Sequence, residues 1–333
     1  MTGGAKFTST ASSDAVVVSE FPQPIHVVAG VLTDAQGRVM LAQRSPGTHY
    51  AGYWEFPGGK VEAGESALEA LRRELREEIG IEVDAAEALI GVPWRYETKS
   101  ILLDVYRVTE YRGEPRAIEV QALRWERPAD LRRDDMPPAD HPVIAALRLP
   151  QAYAITPEPG TDLPAFLRQL DRVLDQGARL VQLRAKTMPM AELATLALAV
   201  QARVRAAGGS LLLNGQVDLV RQLDLDGVHL TAAQLAAFDS RPVPADRWLG
   251  ASCHNAAELA AAVRLDADFV VIGPVLPTAS HPGAPALGWE AFAALVAAAP
   301  MPVYALGGLT QAHLAQARAV GAQGIAGISA FWT

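Results

Sequence analysis

The chain has 333 residues, half of them hydrophobic, and a formal net charge of −8. This length exceeds what one core usually organises and predicts two domains. The negative charge argues against binding along a nucleic-acid backbone, and no apolar run is long enough to span a membrane. Cys253 is the only cysteine, so an intrachain disulfide is excluded and a cytoplasmic location is expected.

The N-terminal half begins with a segment of low complexity. Residues 1–24 are rich in Ser, Thr, Gly and Ala and lack the pattern of a signal peptide, which predicts a disordered leader. A first domain follows over residues 25–149, where strands and one strong helix predict an α+β fold. The predicted strands are 25–33, 38–43, 101–108 and 122–126, and the predicted helix is 66–79.

The predicted helix has clear start and stop signals. Ser66 and Glu69 have the spacing of a capping box, and Gly80 suits a left-handed end. One face is predicted to be apolar, formed by Leu68, Leu71, Leu75 and Ile79.

Three glutamates on this helix carry the first chemical signal. Glu74, Glu77 and Glu78 are spaced i, i+3, i+4, so their carboxylates share one face. Like charges placed this way repel each other, and a hard divalent cation, which prefers oxygen ligands, removes the repulsion. The spacing alone also fits a solvated acidic face.

The surrounding residues favour the metal-binding interpretation. The segment fits the Nudix pattern GX5EX7REUXEEXGU at every defined position, through Gly59, Glu65, Arg73, Glu74, Leu75, Glu77, Glu78, Gly80 and Ile81. The chain therefore resembles the Nudix hydrolases. This resemblance implies Mg²⁺, or alternatively Mn²⁺, held by Glu74, Glu77 and Glu78, with Arg73 orienting a glutamate.

The resemblance extends beyond the box to the MutT type of this family. It rests on the segment from Trp54 to Lys60 before the box and on the segment from Pro137 to Ile144 near the end of the domain. It implies that the Gly58 carbonyl and Glu119 also contact metal, with Glu119 a further catalytic residue. The implied substrate-binding residues are Arg44, Phe56, Lys60, Lys99 and Asp140.

The MutT resemblance implies attack of water at the β-phosphorus of a nucleoside triphosphate, releasing a monophosphate and pyrophosphate. The expected role is removal of 8-oxo-dGTP or a related nucleotide, which links the protein to DNA repair and nucleotide-pool sanitation. Two residues depart from the family pattern: Asp140 replaces an asparagine that contacts the purine, and Lys99 replaces an arginine. An ionised carboxylate only accepts hydrogen bonds, so the preferred base stays open.

The second half, residues 151–333, has a different pattern of predicted elements. Eight short apolar runs alternate with helical stretches, which predicts a parallel (β/α)8 barrel, a TIM barrel. The predicted strands are 153–156, 180–184, 210–214, 227–230, 248–254, 269–275, 303–308 and 324–330. Because the sequence stops directly after the eighth run, the final helix is expected to be missing, which leaves an apolar flank that the first domain, the leader or another subunit is expected to cover.

Residues 152–331 resemble the thiamine phosphate synthase and TenI family. The matching motifs are 181–186, 213–214, 227–230, 250–254, 273–278, 305–309 and 328–330, all at the C-terminal ends of predicted strands. The resemblance implies binding of a small phosphorylated ligand at this end of the barrel. The expected ligand-binding residues are Gln182, Arg184, Lys186, Asn214, Ser252, Thr278, Ser280, Gly308 and Ser329.

The catalytic positions of that family match poorly. Gly215 and Gln234 stand where the synthases have two metal-binding aspartates. His281 replaces a lysine, and Pro274 stands at the catalytic histidine of TenI. We therefore expect binding of a phosphorylated thiazole or pyrimidine without full synthase activity.

Two alternatives to nucleotide-pool sanitation stay open. The hydrolase domain could cleave pyrimidine or thiamine diphosphates in thiamine metabolism, or the barrel could be a non-catalytic sensor of thiamine precursors. The expected partners are a nucleotide substrate, a small phosphorylated ligand and, as an option, a second copy of the chain, with neither nucleic acid nor membrane.

Overall fold

The computed structural model describes residues 23–278 and 285–332. It confirms the predicted fold class, an α+β Nudix-type domain followed by a closed eight-stranded parallel barrel. The expected disordered leader, residues 1–24, lies almost entirely outside the described residues. Within the described ranges, no helix is long and apolar enough to cross a membrane.

The N-terminal domain is built from two small sheets and two helices. Its elements are β1 (Ile25–Leu32), β2 (Val39–Gln43), β3 (Trp54–Glu55), β4 (Gly58–Lys60), α1 (Ala67–Ile79), β5 (Glu82–Arg95), β6 (Ser100–Arg112), β7 (Leu123–Glu126) and α2 (His141–Arg148). One sheet has the strand order β4-β1-β6-β5, with β1 and β6 parallel, and the other has the order β3-β2-β7. Helix α1 packs on the first sheet.

Helix α1 follows its predicted signals. Ser66 accepts from the Glu69 backbone N–H, the Glu69 carboxylate accepts from the Ser66 N–H, and Gly80 ends the helix at φ 72°. Leu71, Leu75 and Ile79 are fully buried, as predicted. The expectation for Leu68 is wrong: its side chain is 36% exposed because it lies in the first turn, before the helix reaches the core.

Strand β5 is missed by the sequence analysis. It pairs with β6 along 14 residues, but register shifts interrupt the pairing near Val83 and Ala88. Each bulge moves the following side chains to the other face, which breaks the two-residue alternation that identifies a strand.

The C-terminal domain is the predicted barrel. Its elements are β8 (Ala152–Ile155), α3 (Leu163–Asp175), β9 (Leu180–Leu183), α4 (Met190–Ala206), β10 (Ser210–Asn214), α5 (Val217–Gln222), β11 (Gly227–Leu230), α6 (Ala232–Leu235), β12 (Trp248–Cys253), α7 (Ala256–Arg264), β13 (Phe269–Ile272), α8 (Gly288–Ala298), β14 (Val303–Leu306), α9 (Leu314–Ala319) and β15 (Gly324–Gly327). All neighbouring strands are parallel, and β15 pairs with β8 to close the barrel. Tyr153, Phe269 and Tyr304 fill the interior, with ring centroids 5.3–5.6 Å apart.

Helix α2 joins the two domains. Its residue Ala145 and the following Leu149 belong to the same apolar cluster as the barrel-interior residues Tyr153 and Tyr304. The buried Gln323 amide donates to the carbonyls of Ala146 and Leu149 at 3.1 and 2.7 Å. Since these contacts lie at the starts of the barrel strands, α2 closes the N-terminal end of the barrel and leaves the C-terminal end for ligands.

The flank beside the eighth strand is covered by the chain's own last described residues. No helix follows β15 among residues 328–332, but Phe331 and Trp332 are buried. Trp332 stacks on Phe166 of α3 with 5.7 Å between ring centroids. Two aromatic side chains therefore pack against the first barrel helix, a solution that the sequence analysis did not foresee.

Candidate functional site

A cleft of about 350 Å³ opens between the two sheets of the N-terminal domain. Its walls contain most of the residues expected to bind substrate or metal, namely Arg44, Phe56, Gly58, Lys60, Glu78, Lys99, Glu119 and Asp140. These residues come from six separate places along the chain. Glu74 and Glu77 lie outside the lining, on the adjacent face of α1.

Arg73 arranges the acidic face of α1. It donates to Glu65 at 2.8 Å, to Glu74 at 2.9 Å and to Glu77 at 3.1 Å. The third nitrogen, Nη2, donates to the Lys60 carbonyl at 3.0 Å. The guanidinium is thus fully engaged by protein groups, as expected of a residue that orients glutamates and leaves substrate to others.

Two glycines let the glutamates approach the strand before the box. A Cβ at Gly59 would lie 2.3 Å from the Glu74 carboxyl carbon, and a Cβ at Gly58 would lie 2.1 Å from the Val28 carbonyl oxygen. The Gly58 N–H donates to Glu78 at 2.8 Å. A side chain at Gly59 would displace Glu74, and a side chain at Gly58 would push β4 away from β1.

Acidic groups crowd around Glu78. Burial, together with the charges of Glu55, Glu74 and Glu119, raises the pKa of Glu78 to about 8, and the hydrogen bond from Gly58 acts in the opposite direction. A buried carboxyl among three others is costly to ionise unless a cation offsets the charge. These oxygen donors fit a hard divalent ion.

The predicted metal ligands do not converge as a complete site in this side-chain arrangement. Over residues 23–278 and 285–332, no three carboxylate, imidazole or thiolate groups have the geometry to hold one ion. The ion pairs of Arg73 explain the divergence, because they hold Glu74 and Glu77 away from Glu78. Metal binding would require these side chains to exchange partners.

The other end of the cleft holds a buried pair of carboxyl groups. Asp140 is 5% exposed, and burial together with the charge of Glu55 raises its pKa well above the usual value, while Arg44 acts in the opposite direction. Burial also raises the pKa of Glu55, which is ion-paired with Arg44. One guanidinium cannot fully offset two buried carboxylates, so the substrate-free cleft favours a protonated Asp140.

Tyr96 completes this end of the cleft. Its hydroxyl accepts from the Ala139 backbone N–H, and burial followed by the charge of Asp140 raises its pKa to about 12. Lys99 lies over the Tyr96 ring at 5.6 Å. Asp140, Tyr96 and Lys99 thus surround a space lined by apolar side chains such as Phe56.

Sequence reasoning missed Glu55, Tyr50 and Tyr96 as cleft residues. Glu55 lies in the segment quoted for the MutT resemblance, and its alternation with buried Phe56 was the available signal. Tyr50 has a positive φ of 60° and packs near Tyr53 and Tyr96. No local pattern indicates that Tyr50, from the segment between β2 and β3, packs against Tyr96, which follows β5.

In the barrel, the residues expected to bind a ligand lie at the C-terminal ends of strands or in the loops that follow them. They are Gln182, Arg184, Lys186, Asn214, Ser252, Thr278, Gly308 and Ser329. Ser280 and His281 lie outside the described residues. The close packing around Gly308 leaves no room for a side chain, since a Cβ there would lie 2.5 Å from the Pro277 carbonyl oxygen.

A chain of buried hydrogen bonds crosses the barrel interior. The Gln182 amide donates to the Tyr153 hydroxyl at 3.0 Å, which lies 3.2 Å from His229 Nδ1. His229 Nε2 lies 2.9 Å from the Ser252 hydroxyl. If Tyr153 donates to Nδ1, Nε2 carries the proton, so both nitrogens of a neutral imidazole have partners.

This network predicts a pH-dependent stability. Burial lowers the pKa of His229 from 6.5 to about 3, so below pH 6.5 the unfolded chain binds a proton that the folded chain does not. The unfolding free energy should therefore fall by about 2 kcal/mol between pH 6.5 and 4.5 through this residue. Urea unfolding across this range should show a shallower pH dependence for His229→Gln, and an identical slope in both proteins would contradict the assignment.

Comparison with known proteins agrees with this division of the chain. The family model described as NUDIX domain matches residues 24–147, and the model described as thiamine monophosphate synthase matches residues 152–331.

Individual relatives match one half or the other. An 8-oxo-dGTP diphosphatase of Haemophilus influenzae is 42% identical over 37% of this chain and 90% of its own length, and a CTP pyrophosphohydrolase of Escherichia coli is 40% identical over the same shares. A protein of Aquifex aeolicus described as a putative thiamine-phosphate synthase 2 is 35% identical over 56% of this chain and 99% of its own length. The chain therefore belongs to two families, as a Nudix hydrolase in its N-terminal half and a member of the thiamine monophosphate synthase family in its C-terminal half.

Proposed function

We propose that the protein is a divalent-metal-dependent pyrophosphohydrolase that converts a nucleoside triphosphate to the monophosphate and pyrophosphate. The observation that carries this proposal is the single cleft that contains Glu78 and Glu119 at one end and Asp140 at the other. The two ends of the cleft suit the two ends of a nucleotide. The phosphates need an acidic end that binds metal, and the base needs a partly apolar end that offers hydrogen bonds.

At the acidic end, Mg²⁺ or Mn²⁺ would offset phosphate charge and lower the pKa of a bound water. Glu74, Glu77, Glu78, Glu119 and the Gly58 carbonyl would hold it. Arg73 positions Glu74 and Glu77 through its ion pairs.

Basic residues of the same cleft supply the remaining phosphate contacts. Lys60 lines the cleft beside Gly58 and Gly59, where a phosphate would meet the metal ligands. Arg44 divides its guanidinium between Glu55 and the His49 carbonyl, which lies 2.7 Å from its Nε. Arg44 therefore acts at the junction between the phosphates and the base.

At the base end, the protonation state of Asp140 determines which base fits. A protonated carboxyl presents one donor next to one acceptor, as an asparagine amide does. The donor and acceptor of Asp140 can form two hydrogen bonds with a base edge that presents an acceptor beside a donor. Cytosine offers N3 and the N4 amino group, and 8-oxoguanine offers O6 and N7–H. Ordinary guanine presents two acceptors, O6 and N7, on the edge where 8-oxoguanine presents O6 and N7–H, so discrimination between the two requires that Asp140 contact this edge rather than O6 and N1–H.

The two related hydrolases act, by their descriptions, on substrates with these two bases. We therefore infer that the preferred substrates carry cytosine or 8-oxoguanine. The charged and titratable groups around Asp140 are Glu55, Arg44, Tyr96 and, beyond the Tyr96 ring, Lys99. As pH rises through the raised pKa of Asp140, ionisation should remove the donor and weaken this preference.

Substitution of Asp140 tests the base assignment. Asp140→Asn keeps the donor and acceptor, so it should retain selectivity and lose the pH dependence of the ratio of kcat/KM for 8-oxo-dGTP or CTP to that for dGTP. Asp140→Leu, of similar size, should lose about 10–100-fold in that ratio, equivalent to one or two hydrogen bonds. Asp134→Asn, an exposed change in the same segment, is the control. Equal selectivity of Asp140→Leu and the wild type would refute the assignment.

The same assay separates nucleotide hydrolysis from the thiamine-linked alternative. Thiamine diphosphate and hydroxymethylpyrimidine diphosphate should be much poorer substrates than nucleotides with Mg²⁺. A higher kcat/KM for either compound would move the proposed function to thiamine metabolism and leave the metal-binding helix unaffected.

For the barrel, we propose binding of a small phosphorylated molecule at the C-terminal end of the strands, as a sensor or carrier without synthase chemistry. Support comes from Arg184 and Lys186 beside the buried Gln182–Tyr153–His229–Ser252 network. An Arg184→Ala variant that binds hydroxymethylpyrimidine phosphate as well as the wild type would count against this site.

A further inference from the structure

Gly215 and Gln234 face each other at the mouth of the barrel, where the family resemblance places two metal-binding aspartates. A Cβ at Gly215 would lie 3.0 Å from Gln234 Oε1 and 3.2 Å from Nε2. The two positions are therefore close enough for their side chains to share one ion. In this chain, a neutral amide fills that space.

The Gln234 amide is bound at both ends. Its nitrogen donates to the Gly215 carbonyl at 2.9 Å. Its oxygen accepts from the backbone N–H and the hydroxyl of Thr231, each at 3.1 Å, in the capping box that starts α6. Since no carboxylate is present and the amide already has partners, these residues do not fit a divalent cation.

Nearby carboxylates are also engaged. Glu158 accepts from the backbone N–H groups of Lys186 and Thr187 at 3.1 and 3.0 Å, and Glu258 accepts from the His254 N–H at 2.6 Å. Both anchor loops of the barrel mouth. Neither occupies the Gly215–Gln234 position.

Two cationic side chains of the mouth, Arg184 and Lys186, lie in the described part of the chain. Arg184 lies 3.8 Å from Glu158, and Lys186 is exposed next to it. These three side chains together carry one net positive charge at neutral pH. A phosphate monoester carries about two negative charges and a diphosphate about three, so without a cation the diphosphate leaves more charge uncompensated.

We propose that the barrel binds a phosphate monoester without a divalent cation and discriminates against the corresponding diphosphate. This inference rests on the proposed function of the barrel as a phosphate-binding domain. It separates the two halves of the chain chemically: the Nudix half cleaves phosphoanhydrides with metal, and the barrel accepts the monophosphate class that such cleavage produces. A reaction that hydrolyses a diphosphate is therefore the class of step that would supply the barrel's ligand.

Calorimetric titration of the full-length protein tests the inference. The Glu77→Gln, Glu78→Gln background prevents hydrolysis, and the probes are hydroxymethylpyrimidine monophosphate and diphosphate, each with Mg²⁺ and with EDTA. The monophosphate should bind equally in both conditions and at least about tenfold more tightly than the diphosphate. Arg184→Ala should weaken it at least about tenfold, whereas Arg168→Ala, an exposed arginine on α3, should not.

The outcomes separate the two proposals. A diphosphate that binds more tightly than the monophosphate, and only with Mg²⁺, would overturn the metal-free inference and leave the barrel a phosphate-binding domain. Failure of both probes and of a thiazole monophosphate to bind would refute the proposed barrel function itself.

A gain-of-site variant adds an independent measurement. Gly215→Asp with Gln234→Asp replaces the bridging amide by two shorter carboxylates, and aspartate tolerates the left-handed φ of 73° at position 215 better than most residues. Electron paramagnetic resonance of bound Mn²⁺ should count one more ion in this variant than in its parent. An equal count in a folded variant, judged by circular dichroism, would show that the two positions cannot form a cation site and would overturn the structural basis of the inference.

Discussion

Glu77→Gln combined with Glu78→Gln should lower kcat/KM for nucleotide hydrolysis at least about 1,000-fold, or about 4 kcal/mol of transition-state stabilisation. The double substitution removes two of the carboxylates proposed to hold the divalent cation. It also replaces the carboxyl group of Glu78 that accepts a hydrogen bond from the Gly58 N–H. Glutamine preserves size and polarity, so the fold should survive, as thermal unfolding would verify.

The matched control is Glu82→Gln. Glu82 lies just beyond the same helix and forms an ion pair with Arg76, but it is outside the cleft. Loss of the Glu82 charge should change kcat/KM by less than about twofold, because Glu82 lies outside the cleft and its exposed ion pair contributes little to stability. Activity of the double variant comparable to that of Glu82→Gln would contradict the role of α1 in metal binding.

Parts of this site could be predicted because they depend on local sequence. The capping box, the apolar stripe and the glutamate spacing of α1 all lie within 15 residues, and helix geometry converts such spacing directly into position. For Arg73, the resemblance implied only that it orients a glutamate. Its simultaneous contacts with Glu65, Glu74 and Glu77 became visible only in the structure.

The base end of the cleft could not be predicted in the same way. Asp140 was identified by resemblance, but its proton depends on burial and on Glu55, 85 positions earlier in the chain. A sequence pattern gives residue type and spacing, whereas a pKa depends on what packs around the group in three dimensions. The structure therefore changes the expectation for Asp140 from an acceptor alone to a donor and acceptor.

The barrel shows the same contrast. Eight apolar runs predicted the closed parallel sheet, because each strand of such a barrel is buried on both faces and short. The bridge between Gln234 and Gly215 spans 19 positions and joins helix α6 to the loop after β10. The sequence indicated only that aspartates are absent there; the structure adds that an amide has replaced them with specific hydrogen bonds.

Leu149→Ala should lower the unfolding free energy by about 2–5 kcal/mol, the usual cost of a large cavity in a core. Leu149 is 5% exposed and packs with barrel-interior residues although it follows a helix of the Nudix domain. Asp140 stands at the start of that helix, and the Gln323 amide binds its end. Loss of packing at the C-terminal end of α2 should therefore also displace Asp140, the residue proposed to bind the base.

Two measurements would test this coupling between the domains. Hydrogen exchange should accelerate in both α2 and barrel strands β14 and β15, and KM for the nucleotide should rise more than kcat falls, since the metal-binding helix α1 is remote from the change. Leu198→Ala, at a leucine 46% exposed on α4, provides the control and should cost less than about 0.5 kcal/mol. Faster exchange confined to the barrel, with unchanged KM, would show that the two domains respond independently. Changes in both domains would instead mean that α2, which begins at Asp140 and closes the N-terminal end of the barrel, couples base binding to the stability of the barrel.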